Sequence, residues 1–65
     1  MEIEIGSRIK SYDEQQDGWF LTEIIEINGD RVLLKDIDKN SNDQGFEWGD
    51  YVSNLDDPKY YRELG

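Results

Sequence analysis

The chain has 65 residues with 16 acidic against 7 basic side chains, a formal net charge of -9 and neither Cys nor His. That composition excludes disulfides, a thiolate nucleophile, a soft-metal site, the commonest general base and the commonest zinc ligand. Its size allows one domain with a thin core, its apolar runs are too short to span a membrane, and its acidity opposes direct contact with nucleic acid phosphates.

The N-terminal Glu2-Ile3-Glu4-Ile5 alternates and then breaks at Gly6. It lacks the basic start and apolar run of a secretory signal, so a cytoplasmic setting is the expectation. Arg8 to Tyr12 alternates again and reads as the first strand, followed by the polar loop Asp13 to Gly18. Trp19 to Ile27 reads as a long strand whose two adjacent residues Ile24 and Ile25 break the two-residue period, so either part of its outward face is covered or the strand bends and changes sheets. Asn28-Gly29 then signals a tight hairpin, with a type I′ turn expected at that pair. Arg31 to Ile37 is the return strand.

Asp38 to Gly45 forms a polar connection, and Trp48 to Val52 carries a short further strand. Ser53 to Pro58 reads as a turn or a single 3₁₀ turn, and Lys59 to Leu64 as either a helical turn or a closing strand. Residues 1–65 thus form a single all-β domain, a small barrel of four to five antiparallel strands with a short C-terminal turn or helical turn.

The loop also places Asp36, Asp38, Asn40, Asn42, Gln44 and Glu47 at the spacing of a calcium-binding loop. Ser41 stands where that loop's sharp turn needs glycine, and a strand rather than a helix precedes it. Turn chemistry explains the same Asn and Asp residues, so no metal and no cofactor is expected. Ser7, Ser11, Ser41 and Ser53 have no His to activate them, and the glycines are spread singly rather than gathered in a phosphate loop. Catalysis is not expected.

Gly6 with Ile9 and Tyr12, then Asp17-Gly18, then Trp19-Phe20, then the β-branched hairpin from Ile24 to Ile37 form an ordered pattern. Together with Glu47 to Leu55, this pattern resembles the Tudor-like branch of the SH3-like small barrels over about residues 6–57. The resemblance implies a binding module in which aromatic faces attract a methylated Lys or Arg. It assigns Tyr12 and Trp19 or Phe20 to one half of such a cage. In the other half, Lys35, Asp36, Ile37 and Asp38 stand where further rings belong, with Phe46 or Trp48 as substitutes. At least one Trp and Phe20 are expected in the core.

The candidate partner-binding residues are therefore Tyr12, Asp17, Trp19, Asp36, Asp38, Trp48 and Tyr51. Tyr60 and Tyr61 are further candidates for an exposed contact surface. The expected partner is a Lys/Arg-rich peptide or a protein with a basic surface, bound without catalysis. A competing reading is a phage- or mobile-element-type mimic of nucleic acid whose carboxylates, among them Asp13, Glu14, Asp17, Glu23, Glu26, Asp50, Asp56 and Asp57, inhibit a DNA- or RNA-binding enzyme by occupying its basic cleft. Carboxylates lined along a ridge would favour the mimic; a concave acidic site bearing exposed rings would favour the peptide-binding module.

Overall fold

The computed structural model describes residues 2–64. Five antiparallel strands form one sheet: β1 (Arg8–Asp13), β2 (Gly18–Asn28), β3 (Arg31–Asp36), β4 (Glu47–Tyr51) and β5 (Tyr61–Glu63), with a 3₁₀ turn at Val52–Asp56. The strand order is β4-β3-β2-β1-β5. Successive strands from β1 to β4 are thus neighbours, while the short β5 returns to β1, with Ile9 opposite Glu63 and Ser11 opposite Tyr61. Of the two alternatives for Lys59 to Leu64, the strand is the one adopted.

The double isoleucine has the consequence its phase break implies. β2 and β3 pair Ile24 with Leu34 and then Glu26 with Leu33, so Ile25 is the extra residue of a β-bulge. The bulge resets the alternation: Ile24 points inward before it and Ile27 packs against the core after it. Bending here lets one long strand follow the curve of the sheet.

The hairpin turn differs by one residue from the expected type I′ turn. Asn28 pairs with Arg31, which leaves Gly29 and Asp30 as the two-residue loop. Gly29 has φ +59°, whereas neither Asn28 nor Asp30 has a positive φ. This sign pattern is that of a II′ turn, which needs glycine only at its first central position. The third-strand register fixed by Val32 and Leu34 facing inward decides the turn, and Asn28 is left as the last strand residue.

The closed barrel is also corrected. β4 and β5 are the two edges of the sheet and do not pair with each other. The 3₁₀ turn packs against both edges, is tied to the β2–β3 loop by Val52 N–H donating to Asp30 O at 2.8 Å, and buries Leu55 fully. Below that plug the edges meet through side chains, with Trp48 Nε1 donating to Tyr61 Oη at 3.4 Å. β5 is only three residues long, and its pairing with β1 is extended by one further bond, Tyr12 N–H to Tyr60 O.

The core is small and mainly aliphatic: Ile9, Ile24, Val32, Leu34 and Leu55, with Tyr61. Phe20 and Trp19 lie outside it, against expectation, and Trp48 only packs against it from a half-buried position. Leu55, arriving from the 3₁₀ turn, occupies the central space that a large ring was expected to fill.

Candidate functional site

The concave face of the sheet has two ends. Near the β2–β3 hairpin it is plugged by Leu55 and Val52; near the β1–β2 and β3–β4 loops it stays open. The open end is a groove of about 740 Å³. Its floor comes from inward-facing strand residues Ser11, Thr22 and Asp36, and its walls carry Phe20, Phe46, Trp48, Tyr60 and Tyr61. Six carboxylates line it: Asp13, Glu14, Asp36, Asp43, Asp50 and Asp57. No Lys or Arg does so among the described residues.

The floor is polar but hydrogen-bonded. Thr22 Oγ1 donates to Ile9 O at 3.0 Å, and Ser11 Oγ lies 2.8 Å from Thr22 Oγ1. A hydroxyl has one hydrogen, so Ser11 is the donor of that second bond. Asp36, 5% exposed, is held by Ser41 Oγ–H and by the backbone N–H of Asp38. Every buried side-chain nitrogen and oxygen among the described residues has a partner.

Gln16 ties together the two loops that frame the open end. Its Nε2 donates to Asp13 Oδ2 at 2.8 Å and to Ser41 Oγ at 3.0 Å, while its Oε1 accepts the N–H of Asn42 at 2.9 Å. The bond from Gln16, joined by the N–H groups of Gln16 and Gln15, keeps the Asp13 carboxyl below the ordinary aspartate range. Sequence reasoning passed over Gln16, since nothing in the local pattern marks a loop glutamine as a staple 25 residues from its partner Ser41.

On the opposite wall, Tyr61 Oη donates to Asp50 Oδ2 at 2.6 Å and Asn54 Nδ2 to Asp50 Oδ1 at 2.7 Å. Partial burial disfavours the charged Asp50, but these two bonds and the N–H of Tyr51 outweigh it, so its pKa is lowered. The same burial, with the Asp50 bond, raises the Tyr61 phenol well above its usual value. Phe46 and Trp48 stack with centroids 6.1 Å apart and planes 17° from parallel. Phe46 is 60% exposed.

The seven sequence-derived residues divide between locations. Trp48 and Asp36 line the groove, Trp48 on its wall and Asp36 on its floor; Tyr12 borders it. Trp19 faces the convex side, opposite Tyr12 in the β1–β2 register, with ring centroids 5.4 Å apart. There the Arg62 guanidinium sits 4.1 Å from the Trp19 centroid, so the protein's own cation covers that ring. Asp17 accepts the Tyr12 hydroxyl, and this bond raises the Tyr12 pKa.

Asp38 serves the sheet instead. Its Oδ2 accepts Leu21 N–H and its Oδ1 accepts Asn40 N–H, each bond lowering its pKa. Tyr51 lies outside the groove under Arg31, 4.5 Å from the ring centroid. Phe46, Tyr60 and Tyr61, which sequence reading treated as substitutes or as general surface, form the walls together with Trp48.

The loop spacing that resembled a calcium site is spent on turns: Asp36 holds Ser41 and Asp38, and Asp38 holds Asn40. No cluster of three or more acidic side chains suited to a metal ion occurs among the described residues. No helix among them is long and apolar enough to cross a membrane. No family model, curated protein or solved structure matches the chain.

Proposed function

We propose that this chain is a non-catalytic interaction module whose acidic, ring-walled groove binds a basic peptide or the positively charged surface of a protein partner. The single observation that carries the reading is the composition of the groove: six carboxylates and several aromatic walls in one concavity, with no lysine or arginine lining it. Such a site attracts a cation over long range through net charge, and at contact through carboxylates and ring faces. Five short antiparallel strands in a bent sheet, with a turn before the last strand, support a small SH3-like barrel of Tudor-like type as the scaffold.

Concavity also separates this reading from nucleic-acid mimicry. A mimic needs carboxylates at phosphate-like spacing on a protruding surface, whereas Asp13, Glu14, Asp50 and Asp57 face a common hollow beside rings.

The test is calorimetric titration with short Lys/Arg-rich peptides at low and high salt, beside an acidic peptide of the same length. Micromolar to millimolar binding of the basic peptides, weakened by salt, is the expected result. Equal or absent binding of basic and acidic peptides would sink the proposal.

A further inference from the structure

Donor and acceptor directions within the groove narrow the ligand. Each hydroxyl and indole N–H lining it donates to an acceptor inside the protein. Ser11 donates to Thr22, Thr22 to Ile9 O, Tyr60 to Glu14, Tyr61 to Asp50, Tyr12 to Asp17 and Trp48 to the Tyr61 oxygen. Of the lining side chains, that leaves the exposed amides of Gln15 and Asn54 with hydrogens to offer, and Asn54 already directs one at Asp50. The hollow therefore presents acceptors almost alone.

Asp36 is the most buried of the lining carboxylates. Both donors that hold it are neutral, the Ser41 hydroxyl and the Asp38 N–H. A carboxylate offers about four lone-pair sites, so roughly half of its capacity remains unused. A ligand that reaches it must bring several N–H groups and tolerate loss of water. A guanidinium does both better than an ammonium, because it carries more donors in a plane and is more weakly hydrated. Cations already sit over rings elsewhere on this chain: Arg62 and Arg31 lie 4.1 Å and 4.5 Å from the centroids of Trp19 and Tyr51, outside the groove, and Lys59 lies 5.3 Å from Tyr60 of the groove wall.

We infer that the groove takes one unmodified arginine side chain of a protein partner, its stem between the aromatic walls and its guanidinium directed at Asp36 and Asp50. This inference rests on the groove being the basic-peptide site. It departs from methyl reading: dimethylation keeps the positive charge but replaces two N–H donors with methyl groups that the acceptor floor cannot use.

The experiment titrates the full chain with three capped pentapeptides, Gly-Gly-X-Gly-Gly, where X is arginine, lysine or asymmetric dimethylarginine. Binding is followed by calorimetry and by the NMR shift of the Trp48 indole N–H. The arginine peptide is expected to bind about tenfold more tightly than either of the others. Lysine binding as tightly as arginine, or dimethylarginine binding more tightly, would overturn the inference while leaving the groove a basic-peptide site. Binding by none of the three would overturn both readings.

Asp36→Asn should abolish the preference for arginine over lysine. Because Asp36 also anchors its loop, the exposed Asp43→Asn is measured beside it, with circular dichroism to verify folding. Asp43→Asn should reduce arginine affinity roughly twofold to threefold, as expected for loss of one screened charge. Unchanged arginine preference in a folded Asp36→Asn, or unchanged arginine affinity in Asp43→Asn, counts against the assignment.

Discussion

The two ends of the concave face are built on the same three strands yet do opposite things. At the plugged end, Ile9, Ile24, Val32 and Leu34 form the core with Leu55; at the open end the inward positions are Ser11, Thr22 and Asp36. Apolar inward residues draw the 3₁₀ turn down onto the sheet. Polar inward residues, satisfied among themselves, leave nothing for such a plug to gain. The groove is thus the part of the sheet's concave face that this chain does not fill with its own side chains. The buried apolar side chains are concentrated at one end, and the carboxylates and exposed rings at the other.

The largest expected effect breaks the plugged end. Leu55→Ala removes a side chain that is 0% exposed and should cost about 2–5 kcal/mol. In so small a domain, each kcal/mol lost lowers Tm by roughly 4–8 °C, so thermal melts should show a partly unfolded chain at 37 °C. A loss below about 1 kcal/mol would mean that the plug is not the stabilising element.

Tyr61→Phe probes the seam between the ends. It removes the donor to Asp50 and the acceptor of the Trp48 N–H, so about 1–3 kcal/mol should be lost in denaturant titration at neutral pH. The acid limb should change too. The folded pKa of Asp50 lies below its unfolded value near about 3.9, so its contribution is present above that pH and disappears as pH falls through the depressed folded value. Removing the Tyr61 bond weakens that depression, and the gap between variant and native chain should narrow below about pH 4. A gap constant from pH 7 to pH 2 would remove Asp50 from the account.

A smaller effect is expected at the hairpin. Gly29→Ala places a side chain at φ +59° and should cost about 1–2 kcal/mol. Asn28→Thr should lie within about 0.5 kcal/mol of the native chain, because Asn28 is a strand residue. Comparable losses at both positions, read from chemical denaturation, would restore the type I′ turn.

The smallest stability effect belongs to the open end. Phe46→Ala should change stability by less than about 1 kcal/mol, since the ring is 60% exposed and chiefly stacks on Trp48. Affinity for a basic peptide should nonetheless fall by about tenfold. Loss of fold without selective loss of binding would invert the proposed division between the ends.

Local pattern made the strands legible because each carries its own two-residue alternation, while the Ile24-Ile25 break marked an irregularity that only the β2–β3 pairing resolves as a bulge. Asp36 and Asp38 show where local pattern stops. They are two residues apart on the same segment, yet one forms the groove floor and the other completes the ladder to Leu21. Which role each takes depends on β2 lying alongside, a neighbour that the spacing does not contain. Trp19 and Trp48 are likewise similar on paper. The β1–β2 register puts Trp19 on the convex face under Arg62, while the curl of the sheet turns Trp48 into the groove toward Tyr61.

By itself, the sequence determined an acidic all-β domain of short antiparallel strands with a bend in the second and a tight turn after it. Those features follow from side-chain period, turn residues and net charge, all of which act over a few residues or over the whole chain at once. Tertiary structure alone decided that the sheet stays open between β4 and β5, that Leu55 rather than a large ring closes one end, and that Phe46, Trp48, Tyr60 and Tyr61 converge with six carboxylates. Convergence of that kind depends on how far the sheet curls before its edges meet, which is set by packing between residues distant in the chain.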